Sequence, residues 1–248
     1  MLTSQTILKV DFWHFGYLKD LPQNQERHHR FVIDGASNFR RVDNTHIYGV
    51  AQPTVNGLRQ VIRTLLNSSE RILWINLREE PIIYINGIPY VLRDRAFTLR
   101  NLRTYKGING SRMEQLEERL KEDVIKEVMQ WGGKILLHGE DGEGNVMSSW
   151  EDVDIQDVMT VREVMEYAAL EIRQSYDSSD DDSNEYTKKI SADHILEYRR
   201  VPITAEKAPE WRDVDDLQAL VTGVDLSRTA VIMYASFFKN ERKANVNF

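Results

Sequence analysis

RILWINLREEPIIYINGIPYVLRD, residues 71–94, sets the architecture. Its opening, RILWINL, is an apolar run of strand length. Further on, IIYINGIPYVL (82–92) carries Asn86-Gly87 between two β-rich arms, and a tight type I′ turn needs two residues that tolerate positive φ, so a hairpin is expected. Upstream, HIYGVAQ (46–52) reads as a short strand ended by Pro53-Thr54, with Thr54 placed to cap a helix. Val55, Leu58, Val61, Ile62, Leu65 and Leu66 then recur at three- and four-residue spacing, one face of an amphipathic helix. The unit is β-α-β followed by a hairpin.

The alternation continues downstream. Ser111 with Glu114 forms a capping-box pattern ahead of a long helix whose stripe is Met113, Leu116, Leu120, Val124, Val128 and Trp131, and Gly132-Gly133 stops it. KILLH (134–138) is the next strand. Thr160 with Glu163 repeats the box before a helix with Val161, Val164, Met165, Ala168 and Ile172 inward. HILEYRRVP (194–202) reads as a strand, DVDDLQALV (213–221) as a short helix and TAVIMY (229–234) as a last strand. Strands alternating with helices predict an α/β fold with a mainly parallel sheet flanked by helices and an inserted hairpin. Residues 1–34 read as a linker or extension, 35–233 as the domain and 234–248 as a tail.

Composition narrows the chemistry. The 248 residues include 29 % charged and 41 % hydrophobic side chains with a net charge of −7, which fits one soluble domain and argues against a general nucleic-acid binder. No apolar run reaches the roughly 20 residues a membrane span needs, and the N-terminus lacks a signal-peptide pattern, so a cytoplasmic chain is expected. There are no cysteines, which excludes disulfides, thiolate metal sites and a cysteine nucleophile.

Several motifs can be weighed by spacing. HGEDGEGN (138–145) resembles a calcium loop in composition, yet counting from Asp141 puts Val146 at the sixth position and Asp152 at the twelfth, so a solvated turn is favoured. His28, His29 and His138 lack metal-ligand spacing, and neither metal nor cofactor is expected. The acidic run at 175–185 reads as a solvated insertion, with phosphorylation of its serines the alternative. Arg40 and Arg41 precede the first strand, and Arg78, Glu79 and Glu80 sit at the carboxyl end of a buried one, where open α/β sheets place ligands. Such charge is either functional or an ion pair supporting a loop, and the sequence leaves both readings open.

GASNFRRV (35–42), IYGVAQPTVNGLRQV (47–61), residues 72–94 of the opening stretch, EERLKEDVIKE (117–127), GGKILLHGE (132–140) and YRRVPITAEKAP (198–209) together resemble the paladin family. Its members are related to the protein-tyrosine-phosphatase-like phytases and are often tandem copies of one domain. The resemblance implies a cysteine-phosphatase fold and hydrolysis of phosphomonoesters on inositol phosphates, proteins or lipids. In that chemistry a thiolate attacks phosphorus, backbone N–H groups and an arginine hold the oxygens, and an acid protonates the leaving group. Here Ala205 occupies the expected acid position, with Glu206 a weak surrogate. Thr222 and Arg228 match the Cys-x5-Arg spacing, but Thr222 follows a helix and Arg228 precedes a strand, so the match is accidental. The family's loop should follow TAVIMY, where this chain has ASFFKN. The resemblance therefore implies a catalytically inactive copy ending before its phosphate loop, one domain of a tandem parent. The alternatives are a phosphate-binding or scaffold module, with Arg40, Arg78 and Lys134 as phosphate-binding residues and Glu79 and Glu80 as loop supports, or a truncated product without function.

Overall fold

The computed structural model describes residues 6–11, 28–30, 32–96, 107–141, 145–177, 195–203 and 208–234, with backbone alone at 28–30 and 176–177. Its strands are β1 (Thr6–Val10), β2 (His28–Arg30), β3 (Arg40–Val42), β4 (Ile47–Val50), β5 (Arg71–Arg78), β6 (Ile82–Ile85), β7 (Ile88–Asp94), β8 (Lys134–Glu140), β9 (Val146–Asp152), β10 (Val158–Thr160), β11 (Leu196–Ile203) and β12 (Thr229–Tyr234). The α-helices are α1 (Val55–Leu66), α2 (Gly110–Gln130), α3 (Val161–Asp177) and α4 (Trp211–Val221). None is long and apolar enough to cross a membrane.

The α/β expectation holds, with the strands divided between two sheets. In the order β11-β5-β12-β4-β3-β2, the first four strands run parallel and β3 and β2 antiparallel. The second sheet, β10-β6-β7-β1-β8-β9, is antiparallel except between β1 and β8. The hairpin thus belongs to the second sheet, where Asn86 and Gly87 make its turn at φ 52° and 76°. β1 lies in the stretch read as a linker. Its pattern was hidden because TILKV carries a lysine, and Lys9 is buried against Glu140.

One face of the parallel sheet presents Tyr48, Trp74, Ile232 and Tyr234 to α1 and α3, forming the largest core cluster. The opposite face presents Leu73, Ile75 and Val231 toward Leu217, Leu220 and Val221 of α4. Buried side chains of α2, Leu120, Val124 and Val128, pack on the antiparallel sheet. Two details of α2 differ from expectation. Asn109, not Ser111, is the N-cap, because its side chain reaches the Arg112 N–H at 2.8 Å. Trp131 is exposed, and the buried stripe includes Glu117. The box at Thr160 and Glu163 is reciprocal, with N–H contacts of 3.3 and 2.8 Å.

The start of α1 is fixed by close approach. Thr54 Oγ1 accepts from the Gly57 N–H at 3.1 Å, and the Gly35 carbonyl accepts from the Thr54 N–H at 2.8 Å. A Cβ on Gly57 would collide with the Gly35 carbonyl, a backbone group with no rotamer by which to escape. Gly57→Ala is therefore expected to destabilise the chain by about 1–3 kcal/mol, despite alanine's better helix propensity. Urea unfolding measures it, and an unchanged midpoint would contradict the packing argument.

Candidate functional site

The parallel strands all end at one pole, where open α/β sheets place their ligand crevice. β12 is central there, since Tyr234 lies in register with Val50 of β4 and Asn76 of β5. The side chains beneath this pole are polar and buried. Asn76 Nδ2 donates to Tyr198 Oη at 2.9 Å while its Oδ1 accepts from the Arg78 N–H at 2.9 Å. Tyr84 Oη donates to the Pro53 carbonyl at 2.9 Å and accepts from Gln52 Nε2 at 2.6 Å. Tyr234 Oη and Gln52 Oε1 are buried with no hydrogen-bond partner among the described residues. Burial raises the Tyr234 phenol well above its ordinary pKa and pushes Tyr198 up to about 12, so both are neutral phenols at physiological pH.

The charges at the end of β5 form a network. The Arg78 guanidinium bridges Asp11, just beyond β1, and Glu80. Arg93 on β7 donates to the other Glu80 oxygen at 2.6 Å. Arg200 on β11 donates to Glu117 on α2 at 2.6 Å and to the carbonyls of Arg78 and Glu80 at 3.2 and 2.9 Å. Glu117 Oε1 also accepts from the Ile82 N–H at 3.0 Å. Burial alone would raise the Glu80 carboxyl, but Arg78 and Arg93 outweigh it and hold the group down at about 2. For Asp11 and Glu117 the balance is reversed, and burial leaves both above the usual carboxylate range despite their arginines.

Of the residues expected to hold phosphate, the structure brings none together with another. Arg78 is 4 % exposed and engaged by two carboxylates, Asp11 and Glu80. Lys134 starts β8 on the other sheet, 3.0 Å from Asp152. Arg40 does lie near the pole: its Nη1 donates to the Asn38 carbonyl at 3.0 Å, and its guanidinium covers Gly49, the register neighbour of Met233. Of the two residues expected to support the loop, Glu80 is buried between Arg78 and Arg93, whereas Glu79 is half-buried beside it. Ala205 and Glu206 lie outside the described residues, as do 178–185 of the acidic run and the tail from 235. Thr222 is the C-cap of α4, and Arg228 donates to Glu70 at 2.9 Å before β12, at the opposite pole. Sequence reasoning missed Asp11, Arg93, Glu117 and Arg200, whose pairings join distant parts of the chain.

The class of domain follows from this architecture. Two solved structures share the fold. The tandemly repeated protein tyrosine phosphatase like phytase from Mitsuokella multacida aligns with TM-score 0.56 and 14 % identity, over 92 % of this chain and 34 % of that one. The PTP-like myo-inositol phosphatase from Mitsuokella multacida, solved with myo-inositol-(1,3,4,5)-tetrakisphosphate, aligns with TM-score 0.52 and 15 % identity, over 78 % and 26 %. At such identities the likeness is one of fold, a phosphatase-type α/β domain. The PTP-like phytase family model, described as "Inositol hexakisphosphate", matches residues 75–236, and the chain belongs to that family. Among curated relatives, paladin from Gallus gallus is 39 % identical over 93 residues, 36 % of this chain and 11 % of that protein. Paladin from Danio rerio is 24 % identical over 184 residues, 73 % and 18 % respectively, so the alignments span less than a fifth of these relatives.

The network gives a signed pH expectation. Glu80 has a folded pKa of about 2, below its ordinary 4.5, so its contribution is present above about pH 4.5 and lost as pH falls toward 2. Asp11 acts oppositely, its buried charge costing stability at neutral pH and less on acidification. Glu80→Gln should lower stability at pH 7 by about 3–5 kcal/mol, leaving buried arginine charge undercompensated, and flatten the acid decline in that window. Urea titrations from pH 7 to 2, compared with the unmodified chain, test both.

Proposed function

We propose that this chain is a phosphatase-type domain that does not hydrolyse phosphoesters. One observation carries the reading: the family chemistry implied by the resemblance needs a thiolate nucleophile, and none of the 248 residues is cysteine. Two features support it. β12 is the central parallel strand whose carboxyl end faces the ligand pole, and ASFFKN follows it in sequence. At the expected acid position Ala205 has no proton to give, and Glu206 is offset by one residue. The purified chain should release no phosphate from para-nitrophenyl phosphate or inositol hexakisphosphate above a buffer blank. Turnover that survives repurification to constant specific activity would overturn the proposal.

A second reading is favoured by Arg40, which covers Gly49, the register partner of Met233. In it the domain keeps inositol phosphate binding without turnover, within a larger cytoplasmic protein of tandem phosphatase-like domains. The ligand seen in one structural neighbour supports the chemical class, and the tandem repeat in the other supports the organisation. Calorimetric titration with inositol hexakisphosphate at low salt should show saturable heat, and Arg40→Ala should weaken binding about tenfold, the size of one charge-assisted contact. Absence of saturable heat removes this reading and leaves the first untouched.

A further inference from the structure

β9 is the outer strand of the antiparallel sheet, and among the described residues its second edge pairs with nothing. Its ladder to β8 is unbroken from Lys134↔Asp152 to Glu140↔Val146. Just beyond the ends, the Val153 N–H donates to the Gly133 carbonyl at 2.8 Å, and the Asp141 N–H to the Asn145 carbonyl at 3.0 Å. In an antiparallel ladder alternate residues bond to the partner strand, while those between aim their backbone groups at the opposite edge. The parity set by Asn145 and Val153 directs Met147, Ser149 and Glu151 to β8. It leaves the N–H and C=O groups of Val146, Ser148, Trp150 and Asp152 pointing outward.

Edge strands are ordinarily blunted by proline, charged side chains, a bulge or a covering element, and β9 carries charge only at Glu151 and Asp152, its last two residues. VMSSWED has no proline, lysine or bulge, and every residue after Val146 is exposed. Met147 is 59 % and Trp150 50 % exposed, and the Trp150 ring lies 5.5 Å from that of exposed Trp131. The strand is also complementary to itself. Antiparallel pairing about a two-fold axis at Ser149 sets Ser148 opposite the partner's Trp150 and Val146 opposite the partner's Asp152, so the outward-bonding residues meet. Met147 then faces the partner's Glu151, and neither acid opposes another acid.

We propose that the chain forms a two-fold dimer by antiparallel pairing of β9 with β9 of a second copy, joining the two antiparallel sheets edge to edge. A C2 contact of this kind uses one patch twice and closes, consistent with a discrete dimer instead of a fibre.

Sedimentation equilibrium on the full 248-residue chain, from low to high micromolar concentration, should show mass rising toward twice 29.0 kDa. Ser149→Lys places two ammonium groups face to face on the axis without touching the backbone bonds to β8. Ser148→Pro removes an outward N–H that the monomer leaves to solvent, a position proline tolerates. Each should weaken dimerisation at least tenfold while preserving the circular dichroism spectrum. A wild-type chain that stays monomeric throughout, as it would if something else covers β9, overturns the proposal. So does a natively folded variant that dimerises as tightly as wild type. If one variant loses its native spectrum, the other decides.

Discussion

The Arg200 guanidinium makes the contact on which the carboxyl-end pole of the parallel sheet depends. It donates to Glu117 on α2 and to the carbonyls of Arg78 and Glu80, so one side chain spans β11, the long helix and the turn leaving β5. That turn carries the chain from the parallel sheet into the antiparallel one. Inside a protein an unpaired backbone carbonyl or carboxylate is costly, so the turn has few alternative paths once Arg200 is seated. Gly110, at the start of α2, closes against the same residue: a Cβ there would fall 2.7 Å from the Arg200 carbonyl.

Around this contact opposite charges meet among the described residues. Arg78, Arg93 and Arg200 face Asp11, Glu80 and Glu117, three guanidiniums to three carboxylates. Buried pairs of this sort add little net stability over well-packed apolar side chains, because desolvation offsets most of the attraction, whereas losing one member is expensive. Their physical effect here is to fix register. Asp11 follows β1, Arg93 lies on β7 and Arg78 ends β5, so sliding either sheet by one residue would separate charges that burial cannot tolerate.

The sequence exposed the periodic elements and concealed the long-range ones. Thr54, the stripe of α1 and TAVIMY were legible because a cap, a 3.6 period and an apolar run are local signals, and β12 spans Thr229–Tyr234 as read. β1 was not, since Lys9 interrupts a five-residue strand and its partner Glu140 lies 131 residues away. β9 was not, since a strand exposed on both faces has no alternation to detect. Glu117 was masked for the same reason as Lys9: its partner Arg200 is 83 residues distant, and an isolated glutamate on a helix reads as solvent-facing. The charges after β5 could be noticed but not interpreted, because paired and ligand-facing arginines look alike until Asp11 and Arg93 are in place.

That distinction bears on what the pole can hold. A phosphate ligand requires cations whose charge is not already neutralised, and Arg78, the last residue of β5, is 4 % exposed between two carboxylates. Recruiting it would leave Asp11 and Glu80 buried with less compensation, a cost comparable with the attraction a phosphate would supply. Attraction for an anion at this pole must then come from residues outside the network. Arg40 lies on β3 near this pole, with its Nη1 on the Asn38 carbonyl and its guanidinium over Gly49 of β4. The network's pairings link β1, β5, β7, β11 and α2 through contacts made within the chain itself.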